Sequence, residues 1–257
     1  MGTQTLGVVL VTNSTSGLGR TIAEHLGQAG WSVIVSGRDR EAGEEVARAI
    51  ASAPRGSCAS IFVEGSLDDT GSVRALHEKA AAAAWGRRVD AAVNVPLDMS
   101  AEDQDVRLAD LDPAVFGRAM SGCVFSTFAS MQAQIRHMLS LGQGRIVNVA
   151  SASPPNILDE GGADASSRYA VVGMTKVASL QYISDGILIN AVVPACLSQR
   201  FMQEALAPGW LGAGTAFSNG KPPATRQAGE TDFARSVAYL LGCQNAFGQI
   251  VTVDGGQ

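Results

Sequence analysis

A chain of 257 residues is long enough to bury a large hydrophobic core in one α/β domain. The formal net charge of −5, with lysines and arginines spread along the sequence, argues against a nucleic-acid-binding surface. No apolar run reaches the ~18 residues of a membrane span, so we expect a cytoplasmic protein without membrane contact. The four cysteines and three histidines lack metal-ligand spacing, so we expect reduced thiols and no metal.

Short β-branched segments alternate with longer helical patterns. Apolar segments predict seven strands, at 6–12, 31–37, 59–65, 90–95, 144–151, 187–193 and 248–254. Helical patterns predict helices at 19–30, about 39–52 and 72–84, and long helices near 112–140 and 163–183. Strands that are apolar on both faces and separated by helices form a parallel sheet, so we predict a single-domain, Rossmann-like, doubly wound α/β fold over residues 1–257.

An irregular stretch, 196–229, follows the sixth predicted strand and is rich in glycine, proline and alanine. Ligands of doubly wound sheets bind at the carboxyl ends of the strands. We therefore predict that this stretch is a lid over a substrate.

The segment TNSTSGLG, residues 12–19, connects the first strand to the first helix. A glycine-rich turn at this place lets the backbone approach a pyrophosphate at the helix N-terminus, although the same turn can also serve packing alone. Asparagine stands where glycine is usual, and it tolerates a positive φ better than most residues. The predicted cofactor contacts in this segment are Asn13, Ser14, Thr15, Gly17, Leu18 and Gly19.

The end of the second strand discriminates between dinucleotides. An acidic residue there would bind the ribose 2′-hydroxyl of NAD, but this chain has Ser36, Gly37 and Arg38. A hydroxyl and a guanidinium suit a 2′-phosphate, which predicts NADP(H) as the cofactor. The alternative is that Arg38 is an ordinary solvated surface arginine.

Together these segments resemble the short-chain dehydrogenase/reductase family over nearly the whole chain. The matching stretches are TNSTSGLG, VDAAVN, GRIVNVAS, YAVVGMTK, GILINAVVP and GQIVTVDGG. The resemblance implies an Asn–Ser–Tyr–Lys catalytic tetrad. In register, the serine position is Ser151, the tyrosine falls on Asp164, the lysine on Arg168 and the asparagine on Cys123, so one of the four residues is retained.

The resemblance also implies further contacts. Ser66 and Leu67 follow the third strand, where the family holds the adenine, and Asn94 follows the fourth strand. Pro194 and Ala195 stand where the family has Pro-Gly after the sixth strand. The helices near 112–140 and 163–183 resemble those that pack across two-fold axes in this family, which implies a homodimer or homotetramer.

The changed tetrad points to a different substrate charge. Ketone reduction leaves an alkoxide that needs a proton donor, and a carboxylate at Asp164 has no proton to give at neutral pH. Hydride added to an iminium gives a neutral amine without protonation, and a fixed negative charge suits such a cation. Arg168, one turn on, can pair with Asp164 or hold the cofactor ribose.

Three readings remain open from the residues. The first is an iminium reductase, and the second is a carbonyl reductase whose acid is Ser151 or a protonated Asp164. The third is a non-catalytic NADP-binding module, in which Asp164 and Arg168 form an ordinary surface ion pair.

The Asp-x-x-x-Arg change, together with APGW at 207–210, resembles a narrower group, the fungal bifunctional reductase/Diels–Alderases of prenylated indole alkaloid assembly. That resemblance implies NADPH-dependent reduction of a cationic pyrazinone-type intermediate, followed by an intramolecular [4+2] cycloaddition. It makes Trp210 a stacking platform for an indole, although a tryptophan here can also close the lid on the core. The predicted substrate contacts are Trp210, Cys123 and Ala195.

Overall fold

Seven parallel strands form one sheet in the computed structural model, which describes residues 6–53, 58–96, 106–150, 162–194 and 229–253. The strands are β1 Val8–Val11, β2 Ser32–Gly37, β3 Ser60–Glu64, β4 Ala91–Asn94, β5 Gly144–Val149, β6 Ile187–Pro194 and β7 Ile250–Val253. Their order is β3-β2-β1-β4-β5-β6-β7, so the winding reverses between β1 and β4. A crevice at the carboxyl ends of these two strands is where such sheets bind ligands.

Seven α-helices cover the two faces of the sheet within the described ranges. They are α1 Gly17–Ala29, α2 Arg40–Ala51, α3 Thr70–Ala83, α4 Pro113–Ala119, α5 Ser126–Leu141, α6 Gly162–Tyr182 and α7 Glu230–Gly242. One face packs against α1, α2 and α7, with Ile22, Val46 and Phe233 buried in its core. The other face packs against α3, α5 and α6. Burying each large apolar side chain stabilises the fold by about 1.5–3 kcal/mol.

The predicted doubly wound α/β sheet is confirmed, with seven strands in the predicted places. Six of the strands are shorter than the predicted apolar runs, while β6 extends one residue further, to Pro194. At the first strand, Gly7 has a φ of 132° and Asn13 a φ of 47°, so the extended backbone ends on either side of β1. Among the helices that the structure describes, none has the length and apolarity needed to cross a membrane.

A chain of buried side-chain hydrogen bonds joins the neighbouring strands β4 and β5 to two helices. The Asn94 Nδ2 donates to Gln134 Oε1 and to Asn148 Oδ1, both at 2.9 Å, and Gln134 Nε2 donates back to Asn94 Oδ1 at 2.7 Å. Asn148 Nδ2 then donates to Thr175 Oγ1 at 2.9 Å. All four side chains are buried, so this amide network ties β4, β5, α5 and α6 together beneath the crevice.

Removing one member should expose the cost of leaving the others unpaired. Gln134→Leu takes away a donor and an acceptor from the buried Asn94 side chain, which is 2% exposed. We expect the free energy of unfolding to fall by about 1–3 kcal/mol in urea denaturation. Gln132→Leu, an exposed position on the same helix, is the matched control and should stay within about 0.5 kcal/mol of the parent. Equal stability of the two variants would mean that the network contributes nothing.

Candidate functional site

The loop after β1 takes a conformation that few side chains allow. Asn13 is the one described residue other than glycine with a positive φ, 47°, as its place in a glycine-rich turn suggests. Its Nδ2 donates to the carbonyl oxygen of Pro96 at 3.0 Å. This bond joins the loop after β1 to the segment after β4, across the point where the strand order reverses.

The first turn of α1 lies against this loop. A Cβ at Gly19 would stand 2.1 Å from the carbonyl oxygen of Asn13, so the close approach requires glycine. Gly17, at the start of the helix, has a φ of 51°. The loop and the helix N-terminus therefore form a narrow backbone cradle.

The N-terminus of α1 differs from those of α2, α3 and α4. Asp39, Asp69 and Asp112 cap those three helices by accepting hydrogen bonds from backbone N–H groups. At α1 the capping residue Ser16 makes no side-chain hydrogen bond to the helix, and the first turn carries no acidic residue. The free N–H groups and the helix dipole favour an anionic ligand at this end.

Ser14 and Ser36 serve the sheet. Ser14 Oγ donates to the Val11 carbonyl at 2.7 Å and accepts from Ser36 N at 3.0 Å, and Ser36 Oγ donates to the same carbonyl at 3.1 Å. Both serines are fully buried. This corrects the prediction that the Ser36 hydroxyl holds a 2′-phosphate, because a buried hydroxyl that already donates within the sheet cannot reach one.

Three predicted cofactor residues meet at the ends of β2 and β3. The Arg38 side chain is 68% exposed, and its Nη1 lies 3.6 Å from Asp68 Oδ2. Ser66 Oγ donates to Asp68 Oδ2 at 2.5 Å, while Leu67 is buried beneath them. Sequence reasoning missed Asp68, although adjacent parallel strands end at one edge and the residue follows the Ser66–Leu67 pair directly.

The remaining predicted contact residues either pack within the fold or lie outside the described residues. Thr15 is buried against Gly37, where a Cβ would come within 2.6 Å of Thr15 Cγ2, and Leu18 packs on the core beneath α1. The Asn94 side chain is fully engaged in the amide network, so it does not offer a polar group to a ligand. Pro194 ends β6 beside β7. Ser151, Ala195 and Trp210 lie outside the described residues, as does the predicted lid apart from Gly229.

Asp164 and Arg168 form a close ion pair in the first half of α6. The Arg168 Nη2 lies 2.5 Å from Asp164 Oδ2, and the side chains are 10% and 19% exposed respectively. Surface pairs with this i,i+4 spacing contribute a few tenths of a kcal/mol. A pair this well buried must instead offset the desolvation of both charges, so it is not the ordinary surface pair that the sequence left open.

The Arg168 guanidinium retains unused donors. Its Nε and Nη1 are buried and have no hydrogen-bond partner within the described part of the protein. Arginine stays protonated in proteins, so these N–H groups cannot be neutralised. A buried unpaired donor costs about 1–3 kcal/mol, which an acceptor on a bound ligand would recover.

Cys123 lies beside this pair, within a π-helical segment, Met120–Phe125, that continues α4 into α5. Burial raises the pKa of its thiol, while the Ser167 hydroxyl and the Arg168 guanidinium act in the opposite direction. The neutral thiol packs with Ala150 and Val171 at the end of β5. The structure therefore brings Cys123, Asp164 and Arg168 together, as the sequence register predicted. Single π turns inside helices are frequent at functional sites.

The chain is similar to many proteins of known class. A profile of the family described as short chain dehydrogenase matches residues 7–208. A 2,5-dichloro-2,5-cyclohexadiene-1,4-diol dehydrogenase from Sphingobium indicum is 31% identical over 252 residues, covering 96% of this chain and 95% of the relative. A cis-4-hydroxycyclohexanecarboxylate dehydrogenase from Sinomonas cyclohexanicum is 29% identical over 256 residues, covering 97% and 95%.

Solved structures share the architecture. A short-chain type dehydrogenase/reductase from Mycobacterium ulcerans superposes with a TM-score of 0.84 at 20% identity, covering 98% of this chain and 90% of that one. Acetoin dehydrogenase from Salmonella typhimurium gives a TM-score of 0.77 at 25% identity, covering 98% and 97%. The first of these likenesses shows the fold alone.

The backbone cradle can be tested through Gly19. Gly19→Ala places a methyl group against the Asn13 carbonyl, and the loop must shift to accept it. We expect the free energy of unfolding to fall by about 1–3 kcal/mol and nicotinamide dinucleotide affinity to fall by at least about tenfold. Isothermal titration and urea denaturation measure the two effects. Gly117→Ala in α4, where a Cβ meets no atom within 4 Å, is the control and should bind the dinucleotide as the parent does. Unchanged affinity in Gly19→Ala would remove the cradle from the site.

Proposed function

The chain belongs to the short-chain dehydrogenase family, and from this premise we propose that it is an NADP(H)-dependent oxidoreductase that reduces a cationic iminium substrate. The oxidoreductase class follows from the family. The choice of substrate charge depends on one observation, the buried Asp164–Arg168 pair. The resemblance implies that these two residues stand where the family has tyrosine and lysine. Neither side chain of this pair is a phenol that could protonate an alkoxide.

The described residues fit a nicotinamide dinucleotide. The cradle at Gly19 admits backbone but no Cβ, and the uncapped N-terminus of α1 offers N–H groups to a pyrophosphate. The exposed Arg38 guanidinium would hold the 2′-phosphate of NADP(H), which would replace its contact with Asp68 at 3.6 Å. When bound, NADPH supplies the hydride.

Asp164 and Arg168 have separate tasks in this proposal. The carboxylate favours the charged C=N⁺ form of the substrate over the neutral imine and holds it in place. Hydride addition at the carbon then turns the C=N⁺ bond into a C–N single bond and leaves a neutral amine, so no proton has to be delivered. Arg168 keeps the carboxylate in one orientation, and its unpaired Nε and Nη1 can donate to the cofactor ribose.

A second step, an intramolecular [4+2] cycloaddition in prenylated indole alkaloid assembly, is the finer part of the proposal. It rests on the resemblance carried by Asp164, Arg168 and residues 207–210, the last of which lie outside the described ranges. Such a reaction needs a pocket that folds the substrate into a reactive conformer and no acid–base group. The buried cluster of Cys123, Ala150 and Val171 near Asp164 would give such a pocket an apolar wall.

A carbonyl reductase or alcohol dehydrogenase is the second candidate. The observation that favours it is the relatives' names, which describe dehydrogenases of a cyclohexadiene diol and a hydroxycyclohexanecarboxylate. In this case the unpaired donors of Arg168 would stabilise an alkoxide, and the proton would come from Ser151 or solvent. The two candidates are separated by comparing the rate of NADPH oxidation with a cyclic iminium and with a panel of ketones. Tight NADPH binding without turnover of either substrate class would indicate a non-catalytic module.

The iminium proposal makes a direct prediction for Asp164. Asp164→Asn removes the negative charge beside the substrate, and single-turnover NADPH oxidation with an iminium should slow by about a hundred- to thousand-fold. NADPH affinity should stay near that of the parent. Asp185→Asn, at an exposed carboxylate after α6, is the control and should react at the parental rate.

Asp164→Asn also leaves the Arg168 charge without its partner, which can destabilise the fold. The same rate is therefore measured for the double variant Asp164→Asn/Arg168→Gln, which removes both charges. If a folded Asp164→Asn protein reduces the iminium as fast as the parent, the charge argument is wrong. The aspartate is then half of a structural ion pair.

Cofactor choice should depend on Arg38. Arg38→Asp replaces the phosphate-binding charge with a repulsive one, so the preference for NADPH over NADH should invert, with NADPH affinity falling by about ten- to hundredfold. Asp68→Asn should strengthen NADPH binding, because it removes a carboxylate near the phosphate. Arg48→Asp on the far side of α2 is the control. Equal binding of NADPH and NADH by the parent protein would refute the assignment.

We further propose a homodimer or homotetramer that packs through α6 and the π-helical segment Met120–Phe125, which fall in the predicted helices near 163–183 and 112–140. Apolar side chains on both are exposed, among them Phe125, Tyr169, Val177 and Leu180, the last 71% exposed. Tyr169, Val177 and Leu180 are spaced to share one helix face.

Val177→Glu/Leu180→Glu should therefore shift the mass measured by light scattering to that of a single chain. Leu108→Glu, at an exposed leucine on another segment, should leave the oligomer intact, and a parent that is already monomeric would contradict the proposal.

A further inference from the structure

A cavity of about 590 Å³ lies between α3 and α5, and its lining includes none of the residues assigned to the cofactor or to the iminium. Cavities of roughly 300–1,000 Å³ accommodate small organic ligands. Its apolar part comes from both helices and the sheet, and includes Ala81, Ala129, Ala133, Val89 and Phe128. Phe128 is 47% exposed, so the aromatic ring is available to a ligand at the surface.

A buried imidazole in the cavity wall lacks a partner. His77, on α3, is 8% exposed, and its Nε2 has no hydrogen-bond partner among the described residues. The nearby imidazole of His137 is already used, because its Nε2 accepts from the backbone N–H of Val89 at 3.1 Å. Burial, and to a smaller extent His137, lower the pKa of His77 to about 4. The ring is therefore neutral at pH 7 and can offer one N–H donor.

The charges around the cavity have a positive excess in a chain whose net charge is −5. Arg74 and Arg136 contribute guanidinium groups from the two helices, and Glu78 is the acidic residue of the lining. Glu78 pairs with Arg74 at 3.3 Å. Arg136 has no ion-pair partner within the described ranges, and its spacing from Ala129 and Ala133 puts it on the helix face that meets α3.

We propose that the α3–α5 cavity is a binding site for a small carboxylate with an apolar, ring-containing body. The carboxylate binds the Arg136 guanidinium, with Arg74 and the His77 imidazole as further donors, because charge-assisted hydrogen bonds to carboxylates are the strong ones. The apolar body packs on the alanine-lined walls and against Phe128. The site is separate from the reductase site, so both ligands bind at once.

The probe for this site is 2-naphthoate, titrated by calorimetry into the NADPH-saturated protein. We expect one naphthoate per chain, and its Kd should be unchanged by NADPH. Arg136→Gln should weaken binding by about tenfold or more, and 2-naphthamide, which lacks the charge, should bind the parent with a similar loss. Arg48→Gln, an exposed arginine on α2, is the matched control and should bind naphthoate as the parent does.

His77 and Phe128 supply the second test. His77→Phe keeps the side-chain volume in the cavity wall but removes the N–H donor, and Phe128→Ser removes the aromatic contact. Each variant should weaken naphthoate binding and leave NADPH affinity unchanged. Failure of the parent to bind naphthoate, equal binding by Arg136→Gln, or displacement of naphthoate by NADPH would each overturn the proposal. A change of oligomeric state in Phe128→Ser would also overturn it, because the cavity would then be an interface between copies of this chain.

Discussion

The amide network of Asn94, Gln134, Asn148 and Thr175 is the constraint on which the site depends. It lies where β4 and β5 end, and it holds α5 and α6 against them. Buried amides that satisfy each other tolerate little displacement, because any shift leaves a desolvated donor or acceptor. Cys123, just before α5, and Asp164, on α6, are therefore placed by one rigid unit.

The pair on α6 shows why burial changes the meaning of a sequence motif. Aspartate and arginine four residues apart are common on solvated helices, where they contribute little. Here Arg168 is 8% exposed and retains two unpaired donor atoms, an arrangement that folding alone does not favour. A bound ligand that supplies acceptors removes the free-energy cost of the unpaired donors. We therefore interpret the pair as part of a ligand-binding site.

The nucleotide end has a different physical basis. Its binding capacity comes from the backbone, through the left-handed Asn13, the Cβ-free Gly19 and the uncapped first turn of α1. Backbone N–H groups recognise a phosphate whatever the neighbouring side chains are. Such a backbone site does not depend on which side chains occupy the positions that Asp164, Arg168 and Cys123 hold. Arg38, which contacts Asp68 at the ends of β2 and β3, is the side chain to which we assign the proposed selectivity for NADP(H).

The sequence by itself determined the seven strands, the glycine-rich turn, the family and the register that places Asp164, Arg168 and Cys123 together. The strands and the turn follow from local periodicity and from spacing along the chain, which need no knowledge of distant contacts. The family and the register follow from the resemblance of whole motifs to those of known proteins. Tertiary structure alone decided that Ser36 faces inward, that Asp68 reaches Arg38, and that His77 lies unpaired beside a cavity. Each of these depends on which loops and helices converge in space, and residues that meet across the sheet leave no periodic trace in the chain. Burial, which separates a solvated surface ion pair from a desolvated one, is likewise a property of the packed molecule.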